Sequence, residues 1–291
     1  MSHLSNLASQ RSENYRKDPR EEQFLERMNQ ALAPLDQEEY QDYPLEHPFF
    51  FVIGLPRSGT TFTTQFLARA FGLSYVNNLA ARFFQAPLQG LRLSEALLGD
   101  ELRPSFQSNY AATSHLGDIH EFGYFWRHWL RKGKLDAMER IQEDEKQIDW
   151  SGLRRCLSSL QHHWGNASVF KNIFGSYHLP RLMEALDQQV MVVYIERDEL
   201  DTAVSIYKAR EKYYGAENIR KWWSYSPPEV GKLLDKNVYE QIAGQITYLK
   251  RFYQQELAQL PEQQVVYLDH AQLMNSPQEQ VERITGQTYQ A

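Results

Sequence analysis

The chain has 291 residues, of which 42% are hydrophobic and 23% charged, and its formal net charge at pH 7 is −6. This length favours one large domain over two small ones, and the acidic balance gives no indication of a nucleic-acid partner. A single cysteine, Cys156, excludes an internal disulfide and a cysteine-rich metal site, and it fits a reducing compartment. No apolar run is long enough to span a membrane, and the polar N-terminus has no signal-peptide core. We therefore expect a cytoplasmic protein.

The first 47 residues are predicted to form a polar arm followed by one amphipathic helix. Apolar residues recur at helical spacing from Phe24 to Leu35, and acidic residues stand in the first turn. We expect this helix to end near Pro34 and an acidic, proline-marked linker to run to Pro48. The apolar face of the helix fits packing on the main domain and packing on a second subunit equally well, so a homo-oligomer stays open.

Residues 49–67, FFFVIGLPRSGTTFTTQFL, predict a buried strand, a tight turn and the start of a helix. In such a unit, backbone N–H groups converge on an anion at the positive end of the helix. Gly54 and Gly59 have the spacing of the first half of the nucleotide-binding pattern G-x-x-x-x-G-K-[ST]. Thr60 stands where that pattern has lysine, and Arg57 places a positive charge inside the turn instead. The phosphate loop, residues 54–61, therefore predicts a phosphorylated ligand but argues against an ordinary nucleoside-triphosphatase.

The rest of the chain alternates predicted helices with predicted strands. Helices are expected at residues 149–164, 178–187 and 198–210, and strands at residues 168–172 and 190–195. Such alternation implies right-handed crossovers and a parallel sheet. The sequence thus predicts an α/β fold, with a single domain at residues 48–291 whose central parallel sheet is flanked by helices, of the P-loop nucleotide-binding type.

Three cations are predicted to meet at one edge of this sheet. Arg57, Lys171 and Arg197 each end or follow a predicted strand. Ligands of parallel sheets gather at the carboxyl ends of the strands, so these side chains should surround the same ligand.

A second phosphate site is predicted in ERDELDTAVSIYK, residues 196–208. Arg197 leaves the strand end, and Ser205 follows about two turns into the next helix. Such a pair could hold one phosphate through a charge-assisted arginine fork and a hydroxyl. Taken alone, this segment fits a surface salt bridge and a helix-surface serine better than it fits a phosphate site. Together with the phosphate loop, we favour the phosphate site.

Both motifs resemble those of the sulfotransferases that use 3′-phosphoadenosine 5′-phosphosulfate (PAPS). PRSGTTF is similar to their 5′-phosphosulfate loop, and Arg197 with Ser205 is similar to their 3′-phosphate site. The resemblance runs in outline from residue 49 to 284, with a final strand and helix in VVYLDHAQLMNSPQEQVERITG, but the glycine-rich closing loop of many cytosolic members is missing. It implies transfer of a sulfuryl group from PAPS to a hydroxyl, with release of 3′-phosphoadenosine 5′-phosphate (PAP) and no metal requirement. The cofactor-binding residues that it implies are Arg57, Ser58, Gly59, Thr60, Thr61, Phe62, Arg197 and Ser205.

The requirements of sulfuryl transfer suggest candidate catalytic residues. In-line transfer requires positioning and neutralisation of negative charge, and Arg57 and Lys171 would stabilise the leaving phosphate. The acceptor hydroxyl needs a base, for which residues 120–122, HEF, offer His120 or, failing that, Glu121. His115 is a third candidate. Neighbours on a helix point about 100° apart, so His120 and Glu121 are not expected to share one task.

The acceptor is expected to be a carbohydrate or another small metabolite. Aromatic residues cluster at residues 122–129 and again at residues 212–229, and the second cluster is predicted to form a lid over the substrate. Aromatic faces suit sugars, lipids and phenols alike, so they do not identify the acceptor. Two alternatives stay open: a nucleotide or sugar kinase on the same core, and a non-catalytic nucleotide-binding protein.

Overall fold

The structure, a computed structural model, describes residues 12, 15, 17–106, 113, 115–133 and 135–288. Its centre is a four-stranded sheet in the order β2-β1-β3-β4. The strands are β1 (Phe49–Gly54), β2 (Ser168–Lys171), β3 (Val190–Glu196) and β4 (Val265–Asp269). All three neighbouring pairs are parallel. The predicted α/β fold, a single domain with a parallel sheet flanked by helices, is confirmed.

Helices connect the strands and cover both faces of the sheet. They are α1 (Pro19–Glu39), α2 (Thr60–Phe71), α3 (Pro87–Leu98), α4 (Gly123–Trp129), α5 (Met138–Glu145), α6 (Trp150–Trp164), α7 (Leu179–Ala185), α8 (Glu199–Tyr214), α9 (Val238–Leu257), α10 (His270–Asn275) and α11 (Pro277–Thr288). Every residue of β1 is buried, as expected for a strand covered on both sides. Phe49 and Phe51 pack in one hydrophobic cluster, and Phe50 and Val52 pack in another on the opposite face.

Local signals fix the boundaries of two predicted helices. α2 ends at Gly72, which takes the left-handed conformation with φ 63°. α6 begins after Asp149, whose side chain accepts a hydrogen bond from the N–H of Gly152, and it ends at Gly165 with φ 63°. Both helices are confirmed because these caps depend only on neighbouring residues.

The predicted end of the first helix near Pro34 is wrong, because α1 continues through this proline to Glu39. A helix can pass through a proline when contacts beyond it compensate for the lost backbone hydrogen bond. Asp36 provides such contacts, since its carboxylate accepts hydrogen bonds from the N–H groups of Leu88 (2.8 Å) and Gln89 (3.2 Å) at the start of α3. The predicted acidic linker is therefore shorter than expected.

The side of α1 that packs on the domain is not the apolar side that the sequence pattern predicts. Phe24 and Leu35 are 63% and 50% exposed. The buried residues of α1 are Asn29 and Asp36, and Asn29 hydrogen-bonds the carbonyl oxygen of Arg82 at 2.7 Å. The helix thus docks on the domain through buried polar contacts, which the spacing of apolar residues does not reveal.

We expect Asp36→Ala to lower the free energy of unfolding by about 2–4 kcal/mol, because it removes a helix cap and leaves two N–H groups of α3 without acceptors. Urea denaturation measures this change. The control is Glu38→Ala on the exposed side of the same helix, which should change stability by less than about 0.5 kcal/mol. Equal effects of the two substitutions would show that Asp36 does not anchor α1.

Candidate functional site

A cleft of about 860 Å³ collects residues from the carboxyl ends of the strands. Its walls come from the phosphate loop, the segment around residue 120, the start of α4, the ends of β2 and β3, the loop at residues 223–226 and the start of α1. Arg57, Lys171 and Arg197 all line this one cleft. The predicted meeting of three strand-end cations is confirmed.

The fourth strand also delivers a polar residue to this edge. His270 directly follows β4 and lines the cleft beside the phosphate loop. Gly59 has φ 100°, a conformation that favours glycine, and a Cβ atom at this position would collide with the His270 imidazole. For both reasons this position requires glycine. Sequence reasoning missed His270, although its place after a predicted strand in VVYLDH was an available signal.

The phosphate loop presents most of its predicted ligands to the cleft. Arg57, Gly59, Thr60, Thr61 and Phe62 line it, and Gly59 caps the N-terminus of α2. The free N–H groups of a helix start and its positive dipole end favour an anion at this place.

Ser58 is the exception among the predicted ligands of the loop. Its side chain is fully buried, and its N–H donates to the carbonyl oxygen of Leu55 at 3.1 Å. The hydroxyl points toward Gly54, where a Cβ atom would lie 2.7 Å from it. Ser58 therefore stabilises the turn of the loop through its backbone, and its side chain does not line the cleft.

The predicted Arg197–Ser205 pair is joined by Arg57. The Arg57 Nε donates to the Ser205 hydroxyl at 3.0 Å, and an Arg197 Nη donates to the Arg57 carbonyl oxygen at 3.3 Å. Arg197 also pairs with Asp201 at 3.6 Å. Its Nε is buried and has no hydrogen-bond partner among the described residues. Two guanidinium groups and a hydroxyl thus converge, and an unsatisfied buried N–H fits an anionic ligand at this point.

Lys171 connects the phosphate loop to the candidate bases. Its side chain is only 6% exposed, and its Nζ donates to Glu121 Oε2 at 2.9 Å and to Thr61 Oγ1 at 3.4 Å. A buried ammonium therefore lies between the anion-binding end of α2 and a carboxylate.

His120 and Glu121 do not lie on a helix, in contrast to the assumption made from sequence. They precede α4, and the His120 N–H donates to the carbonyl oxygen of Val76 at 2.9 Å. Both residues line the cleft. In an extended segment successive side chains point to opposite sides, so the two still present different faces to a substrate.

The hydrogen bonding of His120 determines which of its nitrogens is free. Its Nδ1 accepts the N–H of Phe122 at 2.8 Å, so in the neutral ring the proton is on Nε2. Although the residue is exposed to the open cleft, desolvation by the surrounding protein lowers the pKa of His120 to about 4; the charge of Glu121 opposes this shift, and the charge of Lys171 adds to it. His120 is therefore a neutral hydrogen-bond donor toward the cleft.

His115, the third candidate base, lies outside the cleft. It is exposed, and its Nε2 is 3.8 Å from a carboxylate oxygen of Glu101. Its Nδ1 accepts the N–H of Gly117 at 3.2 Å. The structure therefore separates His115 from the candidate site.

A buried carboxylate ties the His120–Glu121 segment to the phosphate-loop helix. Asp118 is fully buried, and its Oδ1 accepts hydrogen bonds from Gln65 of α2 at 3.0 Å and from the N–H of Ile119 at 2.7 Å. Asp118 thus sets the distance between Glu121 and the phosphate loop, a role that its sequence position did not indicate.

The aromatic loop, residues 222–226, borders the cleft where a lid was predicted. Its backbone carbonyl oxygens are held by buried side chains: Gln245 donates to the carbonyls of Trp223 (3.2 Å) and Tyr225 (2.6 Å). Tyr177 donates to the carbonyl of Ser226 at 2.6 Å. The aromatic loop is therefore a wall of the cleft that hydrogen bonds hold to the domain, and its role as a lid stays a prediction.

Among the described residues, no group of three or more His, Cys, Asp and Glu side chains is placed to hold a metal ion. In the same part of the chain, no helix is both long and apolar enough to cross a membrane.

Residues 48–288 match the model of a family described as the sulfotransferase family. The chain belongs to the sulfotransferase family. Because this match covers most of the chain, the predicted family and the predicted enzyme class are both confirmed. A search of the curated proteins finds no match to this sulfotransferase.

Solved structures of bacterial sulfotransferases share the fold. Sulfotransferase STF1 from Mycobacterium tuberculosis H37Rv aligns with 89% of this chain and 72% of its own, at 17% identity and a TM-score of 0.56. Sulfotransferase STF9 from Mycobacterium avium aligns with 98% of this chain and 75% of its own, at 14% identity and a TM-score of 0.58. At such identities the likeness concerns the fold of this sulfotransferase.

Proposed function

We propose that this sulfotransferase takes its sulfuryl group from PAPS and transfers it to a hydroxyl of a carbohydrate or another small metabolite. The observation that carries the proposal is the convergence of Arg57, Lys171 and Arg197 on the phosphate loop within one cleft. When bound, PAPS supplies the sulfuryl group, and PAP is the product that leaves. The division of the chain at residue 48 into an N-terminal arm and a sulfotransferase domain stays a prediction.

The residues of the cleft fit a nucleotide that carries phosphate at two positions. The start of α2 with Thr60 and Thr61 offers N–H and hydroxyl donors for the 5′ end. Arg57 and Arg197 of the cleft, with Ser205 bound to Arg57, offer a separate, strongly basic site for a 3′-phosphate, and the buried Nε of Arg197 is a donor for such an oxygen.

Lys171 serves the leaving phosphate in this proposal. Its buried ammonium lies 3.4 Å from the Thr61 hydroxyl at the start of α2, so it is placed to stabilise negative charge that develops there. Because Thr61 and Glu121 already hold the Lys171 ammonium in place, it can stabilise this charge without moving during the reaction.

Glu121 is the base that the geometry favours over His120. The lone pair of His120 Nδ1 is occupied by a backbone N–H, and its Nε2 already carries the proton in the neutral ring. Glu121 is an acceptor-only carboxylate that opens to the cleft and contacts Lys171. In this assignment Glu121 removes the proton of the acceptor hydroxyl, and His120 donates a hydrogen bond that orients the acceptor.

The first experiment tests the donor. We expect PAP to raise the melting temperature of the protein in the presence of a metal chelator, because the proposed ligands are cations, hydroxyls and backbone N–H groups. An unchanged melting curve at millimolar PAP would contradict the assignment of PAPS as donor.

Arg197→Met and Ser205→Ala should weaken PAP far more than adenosine 5′-monophosphate, which lacks the 3′-phosphate. A hydrogen bond to a charged group is worth about 1.5–3 kcal/mol, so the arginine variant should lose at least about tenfold in PAP affinity by calorimetry. Arg155→Met, an exposed arginine on α6, is the control and should bind both nucleotides normally. Equal losses for both nucleotides would show that this pair does not contact the 3′-phosphate.

Two enzyme assays separate the proposal from its alternatives. Transfer of label from sulfur-labelled PAPS to an acceptor panel is the expected result. Magnesium-dependent phosphoryl transfer from ATP would favour a kinase, and PAP binding without transfer to any acceptor would favour a non-catalytic nucleotide-binding protein.

A further inference from the structure

The beginning of α1 forms part of the cleft wall. Lys17, Glu21, Glu22 and Leu25 all line the cleft. These residues precede residue 48, where the match to the sulfotransferase family begins. This wall therefore comes from residues outside the part of the chain that matches the family model.

Glu22 is the best-held polar group of this wall. Its Oε2 accepts the hydroxyl of Tyr124 at 2.6 Å, and its Oε1 accepts Lys17 Nζ at 2.9 Å. The Lys17 ammonium also lies 4.1 Å from the centre of the Tyr124 ring. An ionised carboxylate has about four acceptor positions, so two donors leave Glu22 with further capacity toward the cleft.

This carboxylate is close to the proposed chemistry. Tyr124 follows Glu121 by three residues, and even a fully extended chain of this length spans only about 11 Å. Glu121, Tyr124 and Glu22 line the same cleft, so an acceptor that extends along this cleft from Glu121 meets the Glu22 carboxylate.

Ser12 and Tyr15, which precede α1, contact the C-terminal end of α8. The N–H of Ser12 donates to the carbonyl oxygen of Tyr213 at 2.7 Å, and its hydroxyl donates to the carbonyl oxygen of Lys212 at 3.1 Å. The rings of Tyr15 and Tyr213 pack with centroids 4.3 Å apart. Contacts at both ends thus hold the wall in a defined position, as recognition of one acceptor class requires.

We propose that Glu22 binds hydroxyl groups of the acceptor and that the acceptor is a polyol, such as a mono- or oligosaccharide. This inference rests on the proposed sulfuryl transfer. A fixed carboxylate accepts hydrogen bonds from neighbouring hydroxyls, and the Lys17 ammonium donates to ring or hydroxyl oxygens. A lipid or a simple phenol would desolvate Glu22 and Lys17 without replacing their hydrogen bonds to water.

The test measures acceptor binding to the PAP-loaded protein by calorimetry, with a panel of mono- and oligosaccharides, phenols and a short-chain lipid alcohol. We expect a saccharide to bind, and Glu22→Gln to weaken it by about tenfold or more, because a hydrogen bond to a charged group is lost. PAP affinity should stay the same in this variant. Glu38→Gln, at the exposed far end of α1, is the matched control and should bind the saccharide normally.

Three outcomes would overturn this inference: preferential binding of a phenol or of the lipid alcohol, binding of no saccharide, or normal saccharide binding by Glu22→Gln. Because the readout is binding, it separates this inference from the proposed function. Normal PAP and saccharide binding without transfer from PAPS would contradict the proposed function alone.

Discussion

Replacement of Lys171 by methionine is expected to lower turnover by about a hundredfold or more, the scale seen when a preorganised electrostatic group is removed. Methionine keeps an apolar stem of similar length but removes the ammonium that lies between Thr61 and Glu121. Single-turnover transfer from labelled PAPS measures the effect on the chemical step.

Two controls define this result. Lys236→Met changes an exposed lysine before α9 and should leave turnover unchanged. The PAP-induced rise in melting temperature should persist in Lys171→Met, which shows that the cleft is intact. Turnover within a few-fold of wild type in Lys171→Met would remove this residue from the proposed mechanism.

Glu121→Gln is expected to lower turnover by roughly 10²–10⁴-fold, the usual contribution of a general base. Glutamine has nearly the same shape and still accepts a hydrogen bond from Lys171, but it cannot take a proton from the acceptor. PAP affinity should barely change. The measurement is the rate of transfer from labelled PAPS at saturating donor.

His120→Asn is the comparison that distinguishes the two candidate bases. Asparagine can still accept the N–H of Phe122, so the local backbone contact is retained while the imidazole is lost. We expect a smaller loss than in Glu121→Gln, since His120 only orients the acceptor. Full turnover in Glu121→Gln together with a hundredfold loss in His120→Asn would reverse the assignment, and normal turnover in both would place the base elsewhere.

The central strands, the phosphate loop and the three strand-end cations could all be predicted from the sequence. These features depend on short local patterns: an apolar run in residues 49–53, the glycine spacing that begins at Gly54, and a cation at or shortly after the end of each of three strands. Once the strands are parallel, geometry brings Arg57, Lys171 and Arg197 to one edge without further information. For this reason the predicted meeting of these cations holds in the structure.

The contacts that complete the site could be seen only once the chain was folded. The Lys171–Glu121 contact joins residues 50 positions apart, and the Tyr124–Glu22 contact joins residues 102 positions apart. Such contacts depend on how helices and loops pack, which neither periodicity nor spacing specifies. The same reason accounts for the helix that passes Pro34 and for the histidine after β4 that approaches Gly59. The same holds for our proposal of Glu121 rather than His120 as the base, because it rests on the backbone N–H that reaches the Nδ1 of His120.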